Sequence, residues 1–302
     1  MDKPYVTIGI PAYNEERYLR KTIESALGQT YRNIKIIISN NLSNDSTGQI
    51  AEDFARLDNR VSVIHQPSHV NVEQNFRSLL NIADTEYFVW LGGHDIISSV
   101  YIEEALSLFK LNNNTAAVYP NAVSYDAEGK MFSVTDDFYI EGNDFFNQVI
   151  KIVKTCSNGS AFHSVFKTDY LRKSFLDING GDLFLFLRVA MHGKFIPAQQ
   201  ISYTMRNVKS SESDKERDAR YIAYGFKPNW REIHSMYPFT VIAEYNGLSL
   251  FKKLNLFIIV RDLMVKYRDN SWATVTLYFL KQAKLKCSLL AFLAGIKSVI
   301  RK

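Results

Sequence analysis

Apolar residues over the first 120 positions fall into short unbroken runs, separated by segments where they recur every three or four residues. "YVTIGI" and "IKIIIS" are β-branched and apolar almost throughout, as strands covered on both faces are. "VSVIH", "YFVWL" and "AAVYP" repeat the pattern more weakly. Between them Glu15–Leu27, Ser46–Leu57, Val72–Ala83 and Ser99–Phe109 read as helices. Asp45-Ser46-Thr47 offers a cap region for the second helix, and Ser98 or Ser99 for the fourth. Strand–helix alternation at this spacing predicts an α/β protein with a parallel, doubly wound sheet and right-handed crossovers.

After Pro120 the pattern changes. "NAVSYDAEGKMFSV" reads as two strands around a Glu-Gly turn, followed by a helix near Asp144–Lys154. "SAFHSVFK" reads as a strand, "DLFLFLRVAMHG" as a buried helix closed by Gly193, and "KFIPAQQISYTMR" as a strand. The polar run "NVKSSESDKERDAR" reads as a loop or lid. The last seventy residues are helical in pattern, and their longest uncharged apolar stretch, "CSLLAFLAGI", is about half a membrane span.

Charge divides the chain. From Leu250 onward there are 11 Lys/Arg against two Asp and no Glu, a balance of +9, which leaves 25 basic and 29 acidic residues before it. A mildly acidic body with a basic, apolar tail suggests an anionic membrane surface as partner. The alternative is that the tail helices pack on the body or pair two subunits into a homodimer. The tail lacks interleaved base-stacking residues, which argues against nucleic acid. Composition is globular (46% hydrophobic, 22% charged), so disorder is a poor reading. The start carries no signal-peptide pattern, and Cys156 and Cys287 fit no disulfide or metal pattern. A cytoplasmic location, peripheral on the inner face of the membrane, is the expectation.

Candidate chemistry sits where predicted strands end. Pro11-Ala12-Tyr13-Asn14-Glu15 follows the first strand, and Tyr13 can offer a ring face to a base, although Pro11 and Asn14 could equally shape a turn. Asn40-Asn41 end the second strand, and an asparagine amide can pair with a base edge. Gly92-Gly93-His94-Asp95 end the "YFVWL" strand, where open α/β sheets bind ligands. His65, His69, His163, His192 and His234 have no ligand spacing and read as structural or surface residues.

The segment "VTIGIPAYNEERYLRKTIESALGQTYRNIKIIISNNLSNDST" resembles the N-terminal half of the family-2 glycosyltransferases, inverting nucleotide-sugar enzymes of the GT-A fold. Their pattern is a strand, P-x-Y-N-E, a helix ending S-x-x-x-Q-T-Y, a second strand and D-D-x-S-x-D. The resemblance runs from about Val6 to Ser211. It implies a mostly parallel central sheet flanked by helices. A catalytic domain would span residues 1–220, with a donor half to about 120 and an acceptor half beyond, and a basic, amphipathic helical region would cover 221–302.

The resemblance also implies site roles. Pro11, Tyr13, Glu15, Asn40, Gly93, His94, Arg206 and Lys209 fall on donor-binding positions, and Asn158, Gly159 and Ser160 on the acceptor side. Asn40 stands where a base-binding aspartate is usual, and Asp45 keeps its family place with helix capping as the alternative. The family's D-x-D-D falls on Gly92 to Asp95, with His94 at the metal-binding position, so His94 and Asp95 would give one nitrogen and one oxygen to Mn²⁺ or Mg²⁺. The alternative is that His94 contacts the diphosphate directly as a cation. Asp182 opens "DLFLFLR" at the general-base position, with Gly181 where Glu is common. Arg206 or Lys209 would supply positive charge where Val208 replaces the family's histidine.

The implied activity is transfer of a sugar, from a UDP-sugar by this reading, to a lipid-linked saccharide in surface polysaccharide (O-antigen or capsule) assembly. The alternative is a catalytically inactive nucleotide-sugar-binding relative, since Asn40, Asn41, Gly92 and His94 replace four acidic positions.

Overall fold

The computed structural model describes residues 6–125, 130–141, 144–156, 159–175, 182–206 and 241–267. The chain divides into two compact units, Met1–Pro228 and Asn229–Lys302. In the first, β1 (Val6–Ala12), β2 (Ile34–Asn40), β3 (Val61–His65) and β4 (Tyr87–Trp90) pair in parallel in the order β3-β2-β1-β4. The helices between them are α1 (Leu19–Leu27), α2 (Thr47–Leu57) and α3 (Val72–Ile82). Period-2 alternation sorts the strand residues onto two faces. Val6, Ile8, Ile10, Ile34, Ile36 and Ile38 share a buried core with Leu19, Ile23 and Ala26 of α1 and with Ala51 and Phe54 of α2. On the other face a Cβ at Gly9 would lie 2.8 Å from the Phe88 ring and 3.2 Å from Leu79 of α3, so the strand is bare where those side chains cross it. Burial on both faces accounts for the unbroken apolar runs.

Beyond β4 the sheet is mixed. β8 (Val165–Lys167) runs antiparallel between β4 and β6 (Thr115–Tyr125), β9 (Lys194–Met205) runs parallel to β6, and β5 (Ile96–Ile97) closes the edge against β9. β7 (Met131–Ser133) hangs on β6 as the expected second strand. β6 does not stop at Pro120 but continues through it. A register shift opens between Tyr119 and Asn121 opposite Pro197 and Ile201, where the ladder has no need of the missing N–H. Among the described residues this unit also has the helices α4 (Tyr101–Leu111), α5 (Phe145–Thr155), α6 (Thr168–Ser174) and α7 (Asp182–Ala190).

Three expected elements come out differently, each for a tertiary reason. The first helix begins at Leu19 rather than Glu15, because the amides of Asn14, Glu15 and Glu16 donate to Ser43, Thr47 and Asp45. Neither Ser98 nor Ser99 caps α4 with its side chain; Gln29, at the end of the α1 motif, accepts from Ile102 N at 3.1 Å and donates to Ser98 O at 2.7 Å. "SAFHSVFK" is a 3-10 turn, Ser160–His163, before the short β8. Gly159 enters it at φ +70°, and the buried Asp136 carboxylate takes the Ser160 hydroxyl and the Ala161 N–H, both at 3.1 Å. The loop or lid read in "NVKSSESDKERDAR" lies outside the described residues.

In the second unit the helix Leu250–Tyr267 buries Leu256 and Val260 and exposes Leu250, Phe251 and Ile258. No helix among the described residues is long and apolar enough to cross a membrane.

Candidate active site

Strand order reverses between β1 and β4, the switch point at which open α/β sheets take ligands beyond their carboxyl ends. The loops leaving β1 and β2 are laced together there. Asn14, in the left-handed region at φ 55°, donates its N–H to Ser43 Oγ at 3.0 Å and accepts from Asn44 N at 3.1 Å. Glu15 N donates to Thr47 Oγ1 at 2.7 Å, Glu16 N to Asp45 Oδ2 at 3.1 Å, and Ser46 N to Glu16 Oε2 at 3.1 Å. Asp45 also accepts from Thr47 N at 2.9 Å, so it caps α2 and ties the two loops. Burial opposes its charge, but the hydrogen bonds from Thr47 and the Glu16 backbone outweigh that and hold its carboxyl below the ordinary value.

This lacing sends the Glu15 side chain to the end of β4, where its Oε1 lies 2.7 Å from His94 Nδ1. A carboxylate only accepts, so Nδ1 carries the hydrogen, and in the neutral tautomer the ring's lone pair then falls on Nε2. Nε2 lies 3.9 Å from Asp95 Oδ1. Asp95 is 4% exposed, and both its oxygens hold the fold together: Oδ1 accepts Arg206 N–H and Oδ2 the Tyr203 hydroxyl, each at 2.8 Å. Burial and the Asp95 carboxylate push the Tyr203 phenol well above its ordinary value, so it stays a donor. Gly92 is required here, since a Cβ would stand 2.4 Å from Asp95 Oδ2. Gly93 passes under Pro11 O and Glu15 Cγ, which a Cβ would meet at 3.0 and 3.1 Å. Arg206, fixed through its backbone, sets its guanidinium 4.9 Å from the Tyr18 ring centre.

On the other side of β1, Tyr13 is 43% exposed and packs on His69 with ring centres 4.6 Å apart. Asn41 is occupied by the backbone of Val70, accepting its N–H at 2.9 Å and donating to its carbonyl at 2.8 Å. Asn40 is 6% exposed and bonds His65 and Ser43.

The mixed half of the sheet joins this crevice through the Ser160–His163 turn. His163 is buried, stacks on Tyr203 at 4.3 Å, and places Nδ1 3.0 Å from Trp90 O at the end of β4. Burial lowers its basicity, so the ring is neutral. At the other end of the turn, a Cβ on Gly159 would lie 3.8 Å from Asp182 Oδ2. Asp182 is exposed in the first turn of α7, where the helix dipole favours a carboxylate.

Among the described residues no three His, Cys, Asp or Glu side chains form a metal cage. The donor set suits a cation held by one imidazole nitrogen and completed by ligand oxygens. Imidazole is a better partner for Mn²⁺ than for Mg²⁺.

A parallel half of the sheet, a mixed half and a crevice at the switch point are the GT-A arrangement of nucleotide-sugar transferases. The chain matches the sequence profile of glycosyl transferase family 2 over residues 7–175, and it belongs to that family. It is 27% identical over 187 residues to "Glycosyltransferase GlyA" of Streptococcus pneumoniae serotype 4 (59% of this chain, 24% of the relative). It is 31% identical over 141 residues to "Glycosyltransferase GlyG" of the same organism (46% of this chain, 45% of the relative), and so spans less than half of either protein. An uncharacterized Haemophilus influenzae glycosyltransferase is 25% identical over 262 residues, 84% of this chain and all of the relative. Among solved structures, Staphylococcus aureus TarS 1-349 in complex with UDP-GlcNAc superposes with a TM-score of 0.65 at 13% identity, over 93% of this chain and 77% of that one. The mannosyltransferase PcManGT from Pyrobaculum calidifontis, in complex with GDP-Man and Mn2+, gives 0.52 at 12% identity, over 95% and 89%.

The structure thus gathers Pro11, Tyr13, Glu15, Asn40, Gly93, His94, Asp95 and Arg206 around one crevice, with Gly159, Ser160 and Asp182 linked to it through the turn. Asn158 and Lys209 lie outside the described residues. Sequence reasoning passed over Gln29, Asp136, Tyr203 and the place of His69 beside Tyr13. Gln29 belongs to the quoted "GQTY" motif and could have been singled out there; the others carry no local signal.

Proposed function

We propose that this chain moves one sugar from a UDP-sugar to a saccharide acceptor with inversion at the anomeric carbon. The observation that carries the reading is Asp182, a carboxylate at a helix N-terminus beside the Gly159–Ser160 turn, which is itself anchored to the end of β4. Asp182 takes the acceptor hydroxyl proton, the oxygen attacks the anomeric carbon, and the nucleoside diphosphate leaves from the opposite face. Tyr13 and Asn40 serve the base, and Arg206 serves the diphosphate. His94, held by Glu15, would give its Nε2 to Mn²⁺ or Mg²⁺, and a cation there would neutralise charge developing on the departing diphosphate. The complexes of TarS with UDP-GlcNAc and of PcManGT with GDP-Man and Mn2+ support this choice of donor class.

Thermal-shift screening of nucleotide sugars with and without metal tests the donor. At a hundred times its Kd a ligand stabilises by about 2.7 kcal/mol, so a UDP-sugar with Mn²⁺ is expected to raise Tm by roughly 5 °C or more. No response from any nucleotide sugar would overturn the reading. Binding without transfer or hydrolysis would favour the inactive relative, for which the replacement of acidic residues by Asn40 and Gly92 speaks.

The acceptor we propose is a lipid-linked saccharide at the cytoplasmic face of the membrane, in surface polysaccharide assembly. The +9 balance from Leu250 and the exposure of Leu250, Phe251 and Ile258 support it. Removing residues from Leu250 onward should leave donor binding intact and release the protein from anionic vesicles. Unchanged vesicle binding with a shift from dimer to monomer would show that the tail pairs subunits instead.

A further inference from the structure

Glu52 and His65, which have no part in the chemistry above, form a chain with Asn40 that runs from the edge of the sheet into the crevice. Glu52 Oε1 lies 2.8 Å from His65 Nε2, and His65 Nδ1 lies 3.1 Å from Asn40 Nδ2. The hydrogens along it can be assigned. A carboxylate only accepts, so His65 carries its hydrogen on Nε2, and in the neutral ring Nδ1 is an acceptor. Asn40 must therefore turn its NH₂ toward His65. Its other end gives the same answer independently: Ser43 N, which can only donate, lies 3.2 Å from Asn40 Oδ1. The site is shaped for this amide, since a Cβ on Gly48 would stand 2.9 Å from Nδ2 and 3.5 Å from His65 Cε1.

We infer that Glu52 and His65 are positioning residues that set which base the donor carries, by locking the Asn40 amide in one orientation. The inference rests on the nucleotide-sugar reading above. With one hydrogen given to His65 and one lone pair given to Ser43, Asn40 keeps a lone pair on Oδ1 and a hydrogen on Nδ2. Asn40 ends β2 beside β1, whose following residue is the exposed Tyr13 ring, so these two groups meet a base edge. Uracil presents an N–H between two carbonyls, which matches an acceptor with a donor next to it. Cytosine presents a bare ring nitrogen beside an amino group, the reverse order. An amide free to turn over would satisfy either edge, and a locked one satisfies only the first. Guanine offers the same N–H and carbonyl order as uracil, so the device separates uracil from cytosine and leaves purines to be judged by size.

The test is the ratio of UDP to CDP affinity, measured by calorimetry on the full chain. Wild type should favour UDP by about tenfold or more, as an unmatched polar pair against the buried Asn40 amide demands. His65→Phe keeps a flat ring of similar size but removes the acceptor. It should bring the ratio to within about threefold, with CDP binding more tightly than before. Glu52→Ala, at a half-exposed surface position, should move the ratio in the same direction. His65→Gln keeps an acceptor for the Asn40 amide and should retain most of the selectivity. Loss of selectivity in His65→Gln as large as in His65→Phe would mean that changes at this position act by deforming the pocket, and the relay would be rejected. An unchanged ratio in His65→Phe, or a wild type indifferent between UDP and CDP, rejects it as well while leaving the donor reading intact. If wild type binds neither nucleotide, the donor reading fails and this inference fails with it.

Discussion

Asp182→Asn should lower the turnover of sugar transfer by a factor of roughly 10² or more, the usual cost of losing a general base, while donor affinity stays within a few-fold. The substitution is isosteric and leaves a polar group in the first turn of α7, so it removes the charge and the proton acceptor without removing the side chain. The alternative role, in which Asp182 only secures the helix start, makes a different prediction: a lower Tm with turnover nearly unchanged. Measuring both on the same preparation separates them. A second comparison sharpens the point. Ser160→Ala loosens the turn that Asp136 holds and should raise KM for the acceptor more than it lowers kcat, because Ser160 positions the loop and exchanges no proton. If Asp182→Asn keeps turnover within a few-fold of wild type, the inverting base lies elsewhere.

Strands β1 and β2 were legible because both their faces are buried, which gives short apolar runs rich in β-branched residues. Helix existence followed from the apolar recurrence, but the starts of α1 and α4 did not. Each is set by groups distant in sequence: α1 by the hydroxyls and carboxylate of the loop after β2, α4 by a buried glutamine at the end of α1. The Ser160–His163 turn was missed for the same reason, since alternation in "SAFHSVFK" reads as a strand until a carboxylate from Asp136 captures the Ser160 hydroxyl and the Ala161 amide. Pro120 misled in the opposite direction. A proline ends a strand only where its N–H is needed, and here the register shift removes that need. Tyr13, Asn40 and Gly92 to Asp95 were visible because they sit at strand ends, where sequence and fold coincide, whereas Asp182 and Gly159-Ser160 were reached through the family resemblance. What these residues bond to was not visible. Glu15 and His94 are 79 positions apart, and Gly92 looked like the loss of an acid until the Asp95 carboxylate was found where its side chain would be.

His94→Ala should abolish whatever part of UDP affinity depends on Mn²⁺, and Glu15→Ala should reduce it by about 10- to 100-fold although Glu15 is not itself the proposed ligand. The reasoning runs through the ring. With Nδ1–H held at 2.7 Å by Glu15, the neutral imidazole can offer only Nε2 to a cation, and the carboxylate raises its basicity as a donor. Without Glu15 the ring can rotate or change tautomer, and the donor atom is no longer fixed. Glu15→Gln separates positioning from charge: its amide oxygen still accepts from Nδ1, so the tautomer is kept and the loss should be much smaller than with alanine. Electron paramagnetic resonance of Mn²⁺ titrated into protein with UDP reads this directly, without reference to turnover. His94→Asp should restore part of the binding and shift the preference toward Mg²⁺, because a carboxylate oxygen suits the harder cation better than an imidazole nitrogen does. Should a chelator leave the UDP affinity of the wild type unchanged, no cation is involved. His94 would then serve as a protonated ring against the diphosphate, with Glu15 stabilising its charge.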